Sequence, residues 1–455
     1  MWYDPPKYGK PIQDINKSLL EIKGEMEEKE ARITLAKFLY RNLGLTAELL
    51  TGVKLYPDQI INIKGMLNSN YTMCVWGRGL GKTIVFNDLQ LLITDKGPCS
   101  LTSLFSPDFS KGDHWHNINP IKLWNGHGYA TTDKILVQPK KACSRLKTKM
   151  GYSLEGSSVH KIKVWDSEKC EVVWKTYDKL KSGDFVCIDR NPVNWNSSSS
   201  TISKDQAYFC GLAIGDGCYS EKANYLSVTS MDKEIIDFCA KSGGKVFKSK
   251  IGKAYKINFS KEFTSQFLKL HNFEKSKSYN KYIPDSVLSS KETLTECLKG
   301  LFDTDGGIEN YGGTVSFSST SKKLAHQVHV FLLMYGIVSK MKEKKTSSPF
   351  GKTWIINISG QNAKRFYEEI GFNIERKQNG QNYFKNKILN TNVDIIPNIK
   401  KYCQEAIKSK IRLKKEESIE WRQNIRRKEN QKDISYQTLI KYVDFFKKVD
   451  ADKLE

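Results

Sequence analysis

Two stretches of this chain repeat one pattern, and the repeat restricts the possible folds more than any other feature. They are residues 208–217 (YFCGLAIGDG) and 297–307 (CLKGLFDTDGG). Each is an apolar helical run that ends in an aspartate followed by glycine. Around them, residues 205–372 twice follow the order helix, strand, strand, helix, strand, strand, helix. Because the order of elements, their lengths and their sequence motifs all match, we predict a duplicated module.

The small residues of the repeated pattern predict that two helices cross closely. Gly211, together with Ala213, and Gly300 lie on the faces that would meet, and small residues allow helix backbones to approach. The crossing would bring Asp216 and Asp305 together on a pseudo-two-fold axis, where the two carboxylates can share divalent ions. Asp303 is expected on a different face, and we give it no catalytic role.

The bulk composition indicates a folded protein with a polyanionic partner. Hydrophobic residues make up 39% of 455 residues, and 73 Lys and Arg outnumber 50 Asp and Glu, for a net charge of +23. The length predicts about two to four domains. The charge favours nucleic acid as a partner over a basic protein with none. No secretion signal, membrane-spanning run or zinc-type Cys spacing occurs, so we expect a cytoplasmic protein.

Residues 205–375 resemble a LAGLIDADG, or dodecapeptide, homing endonuclease. The sequences of residues 371–377 and 392–397 resemble those of homing endonucleases that are carried by inteins. The resemblance implies a monomer that cuts double-stranded DNA by phosphodiester hydrolysis. Asp216 and Asp305 would be catalytic and would bind Mg²⁺, which prefers oxygen ligands. Lys253 and Lys352 occupy matching repeat positions and are candidate catalytic lysines; the alternative is that both are surface lysines at a turn.

A phosphate-binding loop is predicted near the N-terminus. A strand-like run at residues 71–76 leads into Gly77–Thr83 (GRGLGKT). Glycines let backbone N–H groups approach phosphates, while Lys82 would reach the outer phosphates and Thr83 would hold Mg²⁺. Residues 45–83 resemble the start of the ATPase domain of a phage terminase large subunit. The nucleotide-binding residues that this resemblance implies are Gln59, Arg78, Gly79, Gly81, Lys82 and Thr83. Neither the following helix nor a strand with paired acids appears, so ATP and Mg²⁺ binding is expected only in the complete host terminase.

Residues 84–200 are predicted to form a compact all-β block, since short strands alternate with turn signals. The strands are predicted near residues 88–97, 129–137, 142–148, 151–154, 160–165, 172–174 and 180–188. The block resembles the N-terminal half of an intein splicing domain, which implies that His160, with Ser157 nearby, polarises the first scissile peptide. Ile84 stands where the family has a Cys or Ser nucleophile. The closing His-Asn is not found by Glu455, so a missing C-terminal intein and terminase segment would be needed in cis or in trans.

The predicted fold class is therefore α+β and multidomain. It comprises a partial P-loop α/β segment (1–83), an all-β intein (Hint-type) splicing domain (84–200), a duplicated αββαββα LAGLIDADG endonuclease saddle (201–375) and a basic helical extension (376–455). The leading hypothesis is a site-specific endonuclease within an intein that interrupts a terminase. The alternatives are mainly a protein-splicing element, or a DNA-binding remnant that does not cleave. A packaging motor is disfavoured because only one ATPase motif is present. The sequence leaves open the DNA target and whether splicing is active.

Overall fold

A computed structural model describes residues 87, 89–125, 128–138, 142–169, 171–190, 201–220, 224–248, 253–271, 280–346, 351–385, 389, 395–397, 434–435 and 439–440. All of them belong to the compact unit Gly79–Glu455. The nucleotide-binding prediction (Gln59, Arg78, Gly79, Gly81, Lys82 and Thr83) and the basic stretch 398–430 lie outside the described residues.

The duplicated block contains two successive copies of one arrangement. The elements of copy 1 are α2 (Lys204–Gly215), β10 (Gly217–Ser220), β11 (Tyr225–Ser230), α3 (Lys233–Lys241), β12 (Lys245–Lys248), β13 (Tyr255–Asn258) and α4 (Lys261–Leu270). The elements of copy 2 are α5 (Lys291–Thr304), β14 (Gly306–Glu309), β15 (Thr314–Ser319), α6 (Lys322–Met334), β16 (Lys340–Lys345), β17 (Lys352–Ser359) and α7 (Gln361–Glu369). The αββαββα order predicted for each copy is thus confirmed.

Each copy forms an antiparallel four-stranded sheet in the same strand order. The orders are β10-β11-β13-β12 and β14-β15-β17-β16. The registers also correspond: Gly217 pairs with Val228 in copy 1, as Gly306 pairs with Phe317 in copy 2. The first strand of each sheet begins directly after the first helix of the copy. The sheet edge is therefore fixed to the aspartate that ends that helix.

The first helix of each copy begins at a side-chain cap and is then buried along its length. Ser203 and Gln206 form a reciprocal capping box at the start of α2, and Ser290 accepts from the backbone N–H of Thr293 at the start of α5. Such caps satisfy N–H groups that have no partner inside the helix. Both helices contribute to one hydrophobic core that also takes side chains from both sheets. Because α2 is buried on all sides from Ala207 to Ile214, this part of it is a central helix of the core.

The block before the duplication consists mainly of short strands. Its elements are β1 (Leu91–Thr94), β2 (Gly97–Ser100), α1 (Leu101–Leu104), β3 (His114–Trp124), β4 (Tyr129–Val137), β5 (Cys143–Lys147), β6 (Ser153–Ser157), β7 (Lys161–Asp166), β8 (Glu171–Thr176) and β9 (Phe185–Val186). The strands form sheets in the orders β2-β1-β3-β4, β5-β6 and β8-β7-β9. The remaining elements are α8 (Glu375–Gln378), β18 (Ile395–Ile396), β19 (Ile434–Ser435) and 3₁₀ turns at Tyr177–Lys179, Asp285–Val287, Asn310–Gly312 and Asn379–Phe384.

Strand β3 was not predicted from the sequence. Its segment contains Asn117, Asn119 and Pro120, which interrupt strand alternation. In the structure the pairing of β3 with β4 shifts register between Asn117 and Ile121, and this irregularity contains the proline. Proline is tolerated in strands at such bulges because no ladder hydrogen bond is required of it there.

The turn between β5 and β6 contacts copy 2. The backbone N–H of Met341 donates to the carbonyl of Met150 at 2.9 Å. The ring of Tyr152 stacks on His329 with centroids 3.9 Å apart, and its hydroxyl accepts from the N–H of Ser339. The β-rich block therefore packs against the outer strand of the second sheet. Within the described part of the chain, no helix has the length and apolar character needed to cross a membrane.

Candidate active site at the paired helix ends

Helices α2 and α5 cross with their backbones in contact. A Cβ atom on Gly300 would lie 2.5 Å from the carbonyl oxygen of Tyr208, and one on Gly211 would overlap the carbonyl oxygen of Cys297. Any larger side chain would therefore separate the helices. The predicted close crossing through Gly211 and Gly300 is observed, and it brings the C-terminal ends of both helices to one place.

Asp216 and Asp305 each occupy the C-cap of their helix. The backbone N–H of Asp216 donates to Leu212 at 3.0 Å, and that of Asp305 donates to Leu301 at 2.9 Å. A glycine follows each acid and starts the first strand of the sheet. At both glycines a Cβ atom would overlap a carbonyl oxygen of the preceding helix. The repeated Asp-Gly thus encodes a sharp helix-to-strand turn that presents the carboxylate at the helix end.

The two carboxylates influence each other electrostatically. Burial raises the pKa of Asp305 to about 6, and the charge of Asp216 is the second cause. Burial also raises the pKa of Asp216. Asp305 is partly buried, whereas Asp216 is more exposed. Positive charge beside the pair favours the ionised form of both carboxylates.

Two lysines outside the repeated motifs supply positive charge here. The Lys281 ammonium donates to the carbonyl of Gly215 at 2.7 Å, at the end of α2. The Lys377 ammonium donates to the carbonyls of Phe302, Asp303 and Gly306 at 3.0, 2.5 and 2.7 Å, at the end of α5. Cations at helix C-termini are favoured by the helix dipole. Both lysines lower the pKa of both aspartates and so oppose the effect of burial.

Burial lowers the pKa of both lysines, while the acids raise it. For Lys281 the opposing charges are Asp305 and then Asp216, and for Lys377 the largest is Asp303. Each lysine follows the closing helix of one copy. That shared position, together with a lysine directly before Tyr-Ile-Pro at residues 282–284, is the sequence signal that could have identified the first of them.

The structure does not bring Lys253 and Lys352 to the acidic pair. Lys352 begins β17 at a hairpin tip, where its ammonium lies 2.8 Å from a carboxylate oxygen of Glu343. The row of paired residues across the sheet from Gly306 reaches Ile356 through Phe317. Lys352 precedes Ile356 by four residues, so it lies about 13 Å along β17 from that row. Lys253 is exposed and precedes Ile257, in the corresponding row of copy 1, by the same number of residues.

Asp303 is buried away from the acidic pair in a structural network. Its carboxylate accepts from the Tyr208 hydroxyl at 2.7 Å and from the backbone N–H groups of Asn373 and Ile374. Burial raises the pKa of Asp303 to about 6, and these hydrogen bonds act in the opposite direction. Its counterpart in copy 1 is Ile214. Asp303 therefore links α5 to α2 and to the segment that carries Lys377.

The donor set of the site fits a hard divalent cation. Among the described residues, no group of three or more His, Cys, Asp and Glu side chains is arranged to hold a metal. Asp216 and Asp305 would thus provide one carboxylate each, with the remaining ligands coming from water and substrate oxygens. Mg²⁺ commonly binds through one or two carboxylates and substrate phosphates. A divalent cation bound between them would favour the ionised form of both carboxylates.

Ser157 and His160 lie in one turn of the β-rich block. The backbone N–H of His160 donates to the carbonyl of Ser157 at 2.9 Å, and both side chains are buried. The imidazole packs edge-on against Tyr177. The Ser157 hydroxyl is buried without a hydrogen-bond partner among the described residues. The junction at Thr83 and Ile84 lies outside the described residues.

Comparisons with curated proteins match part of this chain to proteins with unrelated names. The chain is 28% identical over 241 residues to the replication factor C small subunit of Methanocaldococcus jannaschii, which covers 51% of this chain and 13% of that protein. It is 31% identical over 186 residues to the probable translation initiation factor IF-2 of the same organism, covering 38% and 16%. It is 24% identical over 295 residues to the replicative DNA helicase DnaB of Synechocystis, covering 59% and 33%. The chain thus spans a third or less of these relatives.

Among solved structures, the homing endonuclease I-DmoI in complex with DNA and Ca matches with a TM-score of 0.30 and 15% identity, over 40% of this chain and 97% of that chain. Full-length DUF199/WhiA from Thermatoga maritima matches with a TM-score of 0.29 and 14% identity, over 55% and 87%. Residues 292–371 match the family described as LAGLIDADG-like domain. These residues comprise α5 to α7, so the second copy of the duplicated module is a LAGLIDADG-like domain.

Proposed function

We propose that this chain is a site-specific, metal-dependent double-strand DNA endonuclease that is carried by an intein and acts as a monomer. The observation that carries the proposal is the pairing of Asp216 and Asp305 at the ends of two crossing helices, with Lys281 and Lys377 beside them. One acid from each copy matches a substrate with two strands. Duplication of the sheet supplies a matching surface for each half of a target.

The faces of the two sheets that point away from the helices favour DNA as the substrate. Lys340, Lys342 and Lys344 alternate along β16, so they project from one face of the sheet. In copy 1, Lys256 of β13 lies over the ring of Tyr225 of β11. Strands that present basic and polar side chains can enter the major groove, which is wide enough for a two-stranded ribbon. The net charge of +23 adds attraction to the phosphate backbone.

Within the site, the two carboxylates would bind Mg²⁺, which when bound activates water and stabilises the leaving oxygen in phosphodiester hydrolysis. Lys281 and Lys377 are held by carbonyl oxygens at the two helix ends, and their charges act on both aspartates. Preorganised cations of this kind stabilise charge that develops on phosphate oxygens. Lys253 and Lys352, as proposed from the sequence, remain candidates for the same role only if the hairpin tips approach the bound DNA.

The intein context rests on the distribution of relatives. The matched stretches are 186 to 295 residues long, and the proteins that contain them are named as a replication factor, an initiation factor and a helicase. These proteins carry different names, and each matches part of this chain over only 13% to 33% of its own length. A module inserted into different hosts accounts for that distribution. The resemblance of residues 45–83 to a terminase favours a phage protein in a bacterial cytoplasm as the host. In that host, Gln59, Arg78, Gly79, Gly81, Lys82 and Thr83 would bind ATP with Mg²⁺.

The test uses a plasmid that carries an uninterrupted terminase gene, with the codons for Gly77–Thr83 joined directly to the rest of the ATPase. The full chain is added with MgCl₂, and the ends of the products are sequenced. We expect both strands to be cut at one position near the junction. Chelation with EDTA should stop cutting and leave DNA binding in place. Binding of the plasmid without cutting in Mg²⁺ would contradict the proposal and favour a non-cleaving DNA-binding protein.

Protein splicing is a second candidate, favoured by the buried turn that holds Ser157 and His160. A hydroxyl and an imidazole in one buried turn can polarise a peptide group in the manner expected of a splicing site. The test supplies the missing C-terminal intein and terminase segment in trans and looks for ligated host segments by mass spectrometry. Ligation that His160→Ala abolishes would support splicing. No ligation or N-terminal cleavage with His160 intact would count against it.

A further inference from the structure

A bidentate ion pair joins the two copies beside the acidic pair. The guanidinium of Arg376 donates to both carboxylate oxygens of Asp232, at 2.7 and 2.9 Å. Asp232 precedes α3 in copy 1, whereas Arg376 follows copy 2 and directly precedes Lys377. Two parallel hydrogen bonds between planar groups fix orientation as well as distance.

The carboxylate of Asp232 is committed to this contact. Asp232 is the N-cap residue of α3, but its side chain makes no capping hydrogen bond. Its counterpart Ser321, at the N-cap of α6, accepts from the backbone N–H of Leu324 at 3.2 Å. An aspartate at this position normally stabilises its own helix by capping. Here it binds a segment of the other copy instead.

The arrangement has an approximate counterpart around Lys281. The Ser321 hydroxyl donates to the carbonyl of Lys281 at 2.6 Å. Lys281 thus contacts the end of α2, while Ser321 of copy 2 holds its segment. Lys377 contacts the end of α5, while Asp232 of copy 1 holds its segment. The segment of Lys377 has further anchors, because the N–H of Glu375 donates to Glu234 in copy 1 and the N–H of Asn373 donates to Asp303 in copy 2.

We propose that Asp232 and Arg376 are positioning residues, which form a clasp that fixes Lys377 at the end of α5. The proposal rests on the proposed endonuclease function. The side chain of Arg376 is 63% exposed and that of Asp232 is 20% exposed, so the pair contributes little to stability. Its contribution is geometric, since a displaced catalytic group lowers a rate steeply without weakening substrate binding. Because all the hydrogen bonds of the Lys377 ammonium are at the end of one helix, the clasp acts mainly on one DNA strand.

The test compares Arg376→Gln, Asp232→Asn and Lys377→Met on the plasmid with the uninterrupted terminase gene, with the two strands labelled separately. The control is Lys204→Gln, which breaks an exposed ion pair between α2 and α5. This pair lies at the N-terminal ends of the two helices, far from the acidic pair, where Lys204 lies 3.2 Å from Glu292. The measurements are cutting of each strand at saturating protein, DNA affinity and the thermal midpoint.

We expect Arg376→Gln and Asp232→Asn to slow one strand roughly ten- to a hundredfold and to accumulate nicked plasmid. The DNA strand that these two variants cut more slowly should be the one that Lys377→Met slows most. The DNA affinity and the thermal midpoint of Arg376→Gln and Asp232→Asn should be unchanged. Arg376→Lys, which keeps the charge but loses the paired hydrogen bonds, should give an intermediate rate, and Lys204→Gln should resemble the wild type.

Two results would overturn the clasp alone. One is a wild-type rate on both strands for Arg376→Gln, and the other is equal slowing of both strands with a lowered thermal midpoint, which indicates a structural role. If the wild-type protein binds the plasmid but cuts neither strand in Mg²⁺, the proposed endonuclease function fails, and the clasp fails with it.

Discussion

Gly211 of copy 1 and Gly300 of copy 2 lie against each other where α2 and α5 cross. A Cβ atom on Gly300 would be 3.1 Å from the Cα atom of Gly211. Each aspartate of the site follows its glycine by five residues, which is about 7.5 Å along a helix. The closeness of the crossing therefore determines how near Asp216 and Asp305 approach each other.

The first prediction concerns this crossing. Gly211→Ala and Gly300→Ala each place a methyl group against a backbone carbonyl, which cannot rotate away. We expect each substitution to lower the free energy of unfolding by roughly 2–4 kcal/mol, measured by chemical denaturation. Gly112→Ala is the control, because a Cβ atom there would meet nothing within 4 Å. Equal unfolding midpoints for all three variants would show that the helices do not pack as described.

The second prediction concerns Lys281. Its ammonium lies at the end of α2 and acts on both aspartates. We expect Lys281→Met to reduce the cutting rate by about a hundredfold or more at saturating DNA, with little change in affinity. Gel-shift and cleavage assays on the same DNA separate the two effects.

Lys352→Met and Lys253→Met provide the contrast to Lys281→Met. Both lysines are exposed near hairpin tips, so we expect a phosphate contact whose loss weakens binding and lowers the salt dependence of affinity by about one unit of slope. If Lys352→Met or Lys253→Met instead stops cutting while binding persists, these lysines have the catalytic role inferred from the sequence and lie near the acidic pair when DNA is bound.

The third prediction concerns stability in mild acid. Burial lowers the pKa of His329 to about 3 and that of His271 to about 4, from an ordinary value of 6.5. Between these values and 6.5 the unfolded chain binds protons that the folded chain does not, so stability falls as pH falls through that window. The loss is roughly up to 1.4 kcal/mol per pH unit for each histidine.

His329→Gln should therefore flatten the decline of the thermal midpoint between pH 6.5 and 4, although it also lowers the midpoint at neutral pH. The stacking on Tyr152 and the 2.7 Å contact with Ser339 are altered in this variant. The same substitution at His114, which is only partly buried, is the control. A slope that is identical in wild type and His329→Gln would contradict the assignment.

The duplicated fold could be predicted because repetition doubles every local signal. The order of elements in both copies follows from two matching sets of apolar alternation and glycine turns, and the aspartates follow from the same match. Strand β3 could not be predicted in this way, because Pro120 breaks its pattern and the bulge that accommodates it depends on pairing with β4.

The lysines of the site were missed for a related reason. Lys281 and Lys377 lie outside the repeated elements, and their position depends on long-range contacts with Gly215 and with the end of α5. Lys253 and Lys352 match in the repeat, but equivalence between copies does not place a residue near the axis that relates them. Proximity to the axis is a property of the packed helices.

The most direct test of the central account is strand-resolved cleavage by Asp216→Asn and Asp305→Asn in MgCl₂. Asparagine keeps the size of the side chain and removes the negative charge that would bind the metal. We expect each variant to lose double-strand cutting while it still binds the uninterrupted terminase sequence. Unchanged cutting of both strands by either variant would contradict the assignment of the paired helix ends as the active site.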